Sequence, residues 1–215
     1  MIIVTAASHA EQVWIPRLPG VRRVRTGMGA RAGKSLARFI DDHDKPSVVV
    51  STGFCGGLSP DVPAGMIIIG DAVDFEGRQI AVDSSLVERV QSALTAANLP
   101  SCVGRIVTTE SVVSSPEEKE RLSRCGAIAV DMESGILSRI ARGAGIRFLP
   151  LRVVLDARDS KLSFAADRLD ALRAVAHPIS TLRMVRTLII AGHTIGRAIA
   201  AVAAELVSRR EECVA

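Results

Sequence analysis

Six short apolar runs separated by helix-like stretches constrain this chain more than any other feature. They read "MIIVTAA", "SVVVSTGF", "GMIIIGDAV", "GRIVTTESVV", "GAIAVDME" and "FLPLRVVLDA". They are rich in Val and Ile and lack the polar alternation of a strand with one wet face, so they fit strands covered on both sides. Helices are predicted between them at about 29–42, 84–97, 116–124 and 132–144. In the last of these, Met132, Ile136, Leu137 and Ile140 fall on one stripe. Ser115-Pro116-Glu117-Glu118 opens the third with an N-cap, a first-turn proline and acids near the positive end of the dipole. Strands alternating with helices predict an α/β fold, a single domain over residues 1–215 with a central twisted mixed β-sheet flanked by helices. A chain of 215 residues, 48% of them apolar, can bury a substantial core and does not have the composition of a disordered segment.

The region from Pro178 onward differs. "STLRMVRTLIIAGHTIGRAIAAVAAELV" is apolar but punctuated by Arg183, Arg186, His193 and Arg197. Its longest uncharged stretch is shorter than the roughly 20 residues that span a bilayer. It is expected to form a C-terminal helical extension over 178–215, one or two helices split near Gly192 or Gly196. Two roles are open: packing on the domain or on a subunit partner, or contact with a greasy substrate or membrane surface, with the arginines at the headgroups.

Several function classes are disfavoured. The net charge of +4 is dispersed, with no block of five like charges, and Tyr is absent, which argues against nucleic acid. Cys55, Cys102, Cys125 and Cys213 are far apart and form no CxxC, as expected for reduced thiols in a cytoplasmic protein. The N-terminus has no basic n-region and reads as a first strand. "GMGARAGKS" fails the P-loop, because Met28 stands where the first Gly is required, and fails GxGxxG at Ala32. It reads as a glycine turn opening a helix close to a ligand. There is no GxSxG elbow and no His/Cys/Asp/Glu spacing for a metal, so no cofactor is expected.

What remains is a set of polar residues at predicted strand ends. Ligands of open α/β sheets bind beyond the carboxyl ends of strands. Glu11, Gly53 to Gly57, Glu110, Glu133 and Asp156 are therefore placed to converge on one cleft, with His9 either lining it or on the surface. Acids in mostly apolar surroundings need partners or a cleft to face.

The ordered set of motifs resembles the nucleoside phosphorylase and nucleosidase superfamily, in particular its methylthioadenosine/S-adenosylhomocysteine nucleosidase branch. "STGFCGGLSPDVPAGMIIIGDAV" is similar to that family's glycine-rich segment and following strand. "GMGARAG" resembles its early glycine turn, and "GRIVTTESVVSS" stands where its base-binding strand lies. "AVDMES", with Asp156 23 residues beyond Glu133, matches its ribose-binding and acid motifs. The resemblance runs from residue 1 to about 160 and implies cleavage of a purine N-glycosidic bond. It implies Asp156 as the acid serving N7 of the base and Glu11 as the residue handling the attacking water. It also implies Glu133 as acceptor from the ribose hydroxyls and Met132 as the floor beneath the sugar. Val112 and Val113 would contact the base, and Gly53, Phe54, Cys55 and Gly56 would form the loop near the nucleophile.

Three departures shape the expectation. Leu155 replaces the serine that usually precedes the catalytic Asp, removing an orienting hydrogen bond. Phe54 stands where a small residue is common. Ser51 and Phe54 do not supply the Arg and hydroxyl that phosphorylases use for phosphate, which favours water as nucleophile, with phosphate as the competing co-substrate if Arg31 or a partner subunit's arginine supplies charge. The apolar tail, standing where typical members carry a longer C-terminal portion, is similar to the hopanoid-associated phosphorylase branch. That implies a lipid-linked adenosyl substrate such as adenosylhopane, ahead of small 5′-thioadenosines, and peripheral membrane association. Homo-oligomers are usual in the family. The competing class is a noncatalytic nucleoside-binding or membrane-peripheral protein.

Overall fold

The computed structural model describes residues 1–159 and 178–212. The chain runs β1 (Ile2–Ala6), α1 (His9–Gln12), β2 (Val21–Arg25), α2 (Ala30–Asp41), β3 (Val48–Gly57), β4 (Ile67–Phe75), β5 (Arg78–Ala81) and α3 (Ser84–Ala96). It continues through β6 (Ser101–Thr108), α4 (Pro116–Ser123), β7 (Ala129–Asp131), α5 (Ser134–Gly143), β8 (Arg147–Asp156) and α6 (Pro178–Glu212). All six predicted strands form. The two that sequence reading missed, "VRRVR" and "RQIA", are short, carry polar residues and lie at the two ends of the sheet, where no continuous apolar run is required.

The sheet is mixed, and part of it closes on itself. β3 pairs with β8 in parallel, β8 with β4 antiparallel, β4 with β6 parallel, β6 with β7 parallel, and β7 returns antiparallel to β3. β1 and β2 extend this ring from β3, and β5 extends it from β4. Register shifts at Cys55/Gly56 and between Gly70 and Val73 bend β3 and β4, the local distortion that lets a sheet curl. β6 ends at Thr108, so "ESVV" leaves the sheet rather than continuing the strand as expected.

Helices cover both faces. α2 and α5 pack on one, with Ala32, Leu36, Leu137 and Ala141 buried against Ile3 and Val49. α3 and α6 pack on the other, against Ile2, Val4 and Leu151. α5 starts at Ser134, with Glu133 at its N-cap, so Met132 precedes the helix instead of opening its stripe.

α6 is one continuous helix, not two split at Gly192 or Gly196. Those glycines are contact points. A Cβ at Gly196 would lie 2.7 Å from the Trp14 carbonyl oxygen, and one at Gly192 would overlap the Trp14 indole. The helix-interior cost of glycine, about 1 kcal/mol each, is offset by this close packing. Ala191, Ile195, Ala198, Ile199 and Val202 form the buried stripe. Val185–Ser208 is long and apolar enough to cross a membrane by length and composition, yet this stripe lies in the core. Cys213 falls outside the described residues.

Candidate active site

The ends of β1, β3, β6, β7 and β8 meet at one cavity of about 360 Å³. Glu11, Glu133 and Asp156, 145 positions apart from first to last (156 minus 11), all line it. So do Phe54, Cys55, Gly56, Val112, Val113 and Met132. Gly53 lies behind it. Glu110 and His9 are exposed and do not line it, so the expected convergence of Glu110 fails: the chain turns outward once β6 ends.

Glu11 is held from two strand ends. Ser8 caps α1: its Oγ accepts the Glu11 N–H at 3.2 Å, while Glu11 Oε2 accepts the Ser8 N–H at 2.9 Å. The other oxygen, Oε1, accepts the Phe54 N–H at 3.2 Å. Gly53 makes this possible. Its φ is 151°, and a Cβ there would sit 2.5 Å from Glu11 Oε1 and 2.9 Å from Arg152 Nη1.

Glu133 follows β7 and is buried. Its Oε1 accepts the N–H of Gly29, the positive-φ N-cap of α2, at 3.3 Å. The glycine turn "GMGARAG" thus reaches the site as expected, through a backbone donor, and Met28 lines the mouth. Burial pushes the Glu133 carboxyl up to about 7, helped by the charges of Asp131 and Glu11 and opposed by Arg152.

Asp156 ends β8. Its Oδ2 receives Lys119 Nζ from α4, which also donates to the Ala157 carbonyl at 3.0 Å. Burial raises the Asp156 pKa, and the lysine pulls it back only in part. Sequence reading missed Lys119. It lies three residues beyond Pro116 in a polar helix, and nothing local marks it as buried.

A second network missed from sequence lies beneath the cavity. Arg152 is 1% exposed and donates from Nε to Asp131 at 2.7 Å and from Nη2 to Ser51 at 2.9 Å and Ser134 at 3.0 Å. Asp131 also accepts from Thr108 Oγ1 at 2.7 Å and from the Ser134 N–H at 3.1 Å. An arginine inside the apolar run "FLPLRVVL" was the available signal, since buried arginine needs a partner. Asp156 therefore pairs with Lys119 and not with Arg152.

The rim of the cavity is apolar. Met28 and Val112 line it at 57% and 43% exposure, and Leu188 of α6 closes one side. Among the described residues, no group of three His, Cys, Asp or Glu side chains gathers as a metal site. The pocket can thus orient hydroxyls, protonate a leaving group and hold a water, with a greasy opening above.

The chain and its fold match known proteins. Residues 6–189 match the profile of the phosphorylase superfamily. The fold is similar to that of 5′-methylthioadenosine/S-adenosyl homocysteine nucleosidase from Helicobacter pylori, at 16% identity and a TM-score of 0.75 over 95% of this chain and 97% of that one. It is similar to futalosine hydrolase of the same organism, at 15% identity and a TM-score of 0.75 over 95% and 97%. A putative nucleosidase of this kind from Borrelia burgdorferi, bound to adenine, gives 19% identity and a TM-score of 0.67 over 88% and 99%. With most of the chain matched to one family and the strand-end acids gathered in one pocket, the chain belongs to the phosphorylase superfamily.

Proposed function

We propose that this protein is a nucleosidase that hydrolyses the N-glycosidic bond of a purine nucleoside, adenine being the favoured base. The observation that carries the reading is Glu11, Glu133 and Asp156 lining one nucleoside-sized cavity. Glu133 as a carboxylate accepts the 2′- and 3′-hydroxyls and orients the sugar. Met132 lies beneath the ribose, and Val112 and Val113 contact the base. Asp156, its pKa raised by burial, gives a proton to N7 as the bond breaks. The electron pair of the C1′–N9 bond stays on the purine. Glu11, fixed by Ser8 and Phe54, takes the proton of the water that attacks C1′.

Water is favoured over phosphate by the state of the cations. Arg152 is engaged by Asp131, Ser51 and Ser134, and Arg31 is exposed and does not line the cavity. An anionic Glu11 on the attacking side disfavours a phosphate dianion.

The apolar rim of Met28, Val112 and Leu188 favours an apolar 5′ substituent, from an alkylthio group up to a lipid-linked adenosyl such as adenosylhopane. Exposed Val185, Ile189 and Ile190 continue this surface along α6, which supports peripheral membrane contact or a homo-oligomer interface. Turnover of a nucleoside panel with and without phosphate tests the proposal. Free base plus free ribose is expected. Ribose-1-phosphate would replace hydrolysis by phosphorolysis, and binding without turnover would leave a nucleoside-binding protein.

A further inference from the structure

Lys119 has no role in the reaction outlined above, yet it is 0% exposed and its ammonium lies against the proposed acid. Burying an ammonium is costly unless it is paired and hydrogen-bonded. Its acceptors, Asp156 Oδ2 and the Ala157 carbonyl, lie at and just beyond the end of β8. The lysine stem passes Gly56, whose Cβ position would be 3.8 Å from Lys119 Cε and 3.4 Å from Asp156 Oδ1. Lys119 therefore reaches the carboxyl from the protein side. One oxygen is tied down, and Asp156 still lines the cavity. The residue before Asp156 is Leu155, whose buried apolar side chain offers no orienting donor.

Resting on the nucleosidase reading, we infer that Lys119 is the positioning residue of the leaving-group acid: it fixes the Asp156 carboxyl and takes up the negative charge left when that carboxyl gives its proton to the purine. The step balances. C1′–N9 breaks with its electron pair on the base, the proton passes from Asp156 to N7, and the resulting carboxylate is neutralised by the ammonium already in contact with it. Burial raises the Asp156 pKa and so favours its acid form, while Lys119 makes the departure of the proton less costly. Cys55, Glu11, Asp131 and Glu133 also line this cavity, and the Cys55 thiol is pushed up mainly by burial.

The test compares two leaving groups. A purine needs the acid, whereas 4-nitrophenolate leaves without one. Lys119→Met is expected to lower kcat/KM for adenosine derivatives by about 100-fold and to leave cleavage of 4-nitrophenyl β-D-riboside within about threefold. Lys119→Gln, which keeps a donor but not the charge, is expected to fall with it. Equal losses on both substrates, or a Gln variant as active as the parent on purines, would overturn the inference. A parent that cleaves neither substrate would remove the nucleosidase reading instead. In that event carboxyl 13C NMR of the full chain, with Asp156 assigned through Asp156→Asn, still decides. Its titration should move upward in Lys119→Met, and an unmoved titration would end the case for Lys119.

Discussion

Two buried ion pairs sit four residues apart on β8, and they differ in what surrounds them. Arg152–Asp131 is sealed: both side chains are almost inaccessible, and five further hydrogen bonds from or to Ser51, Ser134 and Thr108 hold it. Lys119–Asp156 is half open: the lysine is wholly buried, while the carboxyl keeps 13% exposure and lines the cavity. The sealed pair ties β7, β8, β3 and α5 together. An open pair leaves a carboxyl that can exchange a proton. Breaking the first is expected to cost stability, and breaking the second to cost chemistry.

The largest effect separates them most sharply. Asp156→Asn should lower purine release about 100- to 10,000-fold, far more than the stability lost by unpairing Lys119 can account for, measured by base release alongside calorimetry. Asp131→Ala should do the reverse first. Leaving Arg152 uncompensated costs about 3–5 kcal/mol, read by urea unfolding, and any loss of activity should follow the loss of folded protein. If Asp131→Ala folds as well as the parent, the sealed network is not structural.

Glu133 falls between the two pairs. It is needed as a carboxylate, and burial raises its pKa to about 7. The kcat/KM of the free enzyme should therefore fall about tenfold per pH unit below that value, and Glu133→Gln should remove this limb along with most sugar binding. The sign for stability is opposite. A raised folded pKa contributes stability below the ordinary carboxyl range, and that contribution is lost as pH rises through about 7. Glu133→Gln should flatten that decline in a pH series of unfolding curves. Two smaller effects lie on α6. Leu188→Ser should weaken binding of 5′-alkylthio nucleosides by about tenfold relative to adenosine, consistent with roughly 1–2 kcal/mol of apolar burial. Removing the partly exposed Arg89–Glu205 pair, 3.0 Å long, should cost no more than about 1 kcal/mol.

Legibility followed how local the cause was. The strands were readable because burial on both faces leaves a continuous Val/Ile run. The Ser8-to-Glu11 capping box was also present in sequence as Ser, two residues, Glu. Lys119 and the Arg152 network were not readable, because their partners lie 37 and 21 residues away. The glycines of α6 misled for a related reason. Read alone they break a helix, but against Trp14 they admit a ring.

Sequence by itself determined the α/β layering and the placement of acids at strand ends, because strand and helix periods and terminal polar residues are properties of neighbours in the chain. Only the tertiary structure decided that β3, β8, β4, β6 and β7 close into a ring, and that one carboxyl is sealed by arginine while another stays open beside lysine. Those outcomes depend on which distant groups a fold desolvates together, and the cost of desolvation is set by the surroundings rather than by the residue.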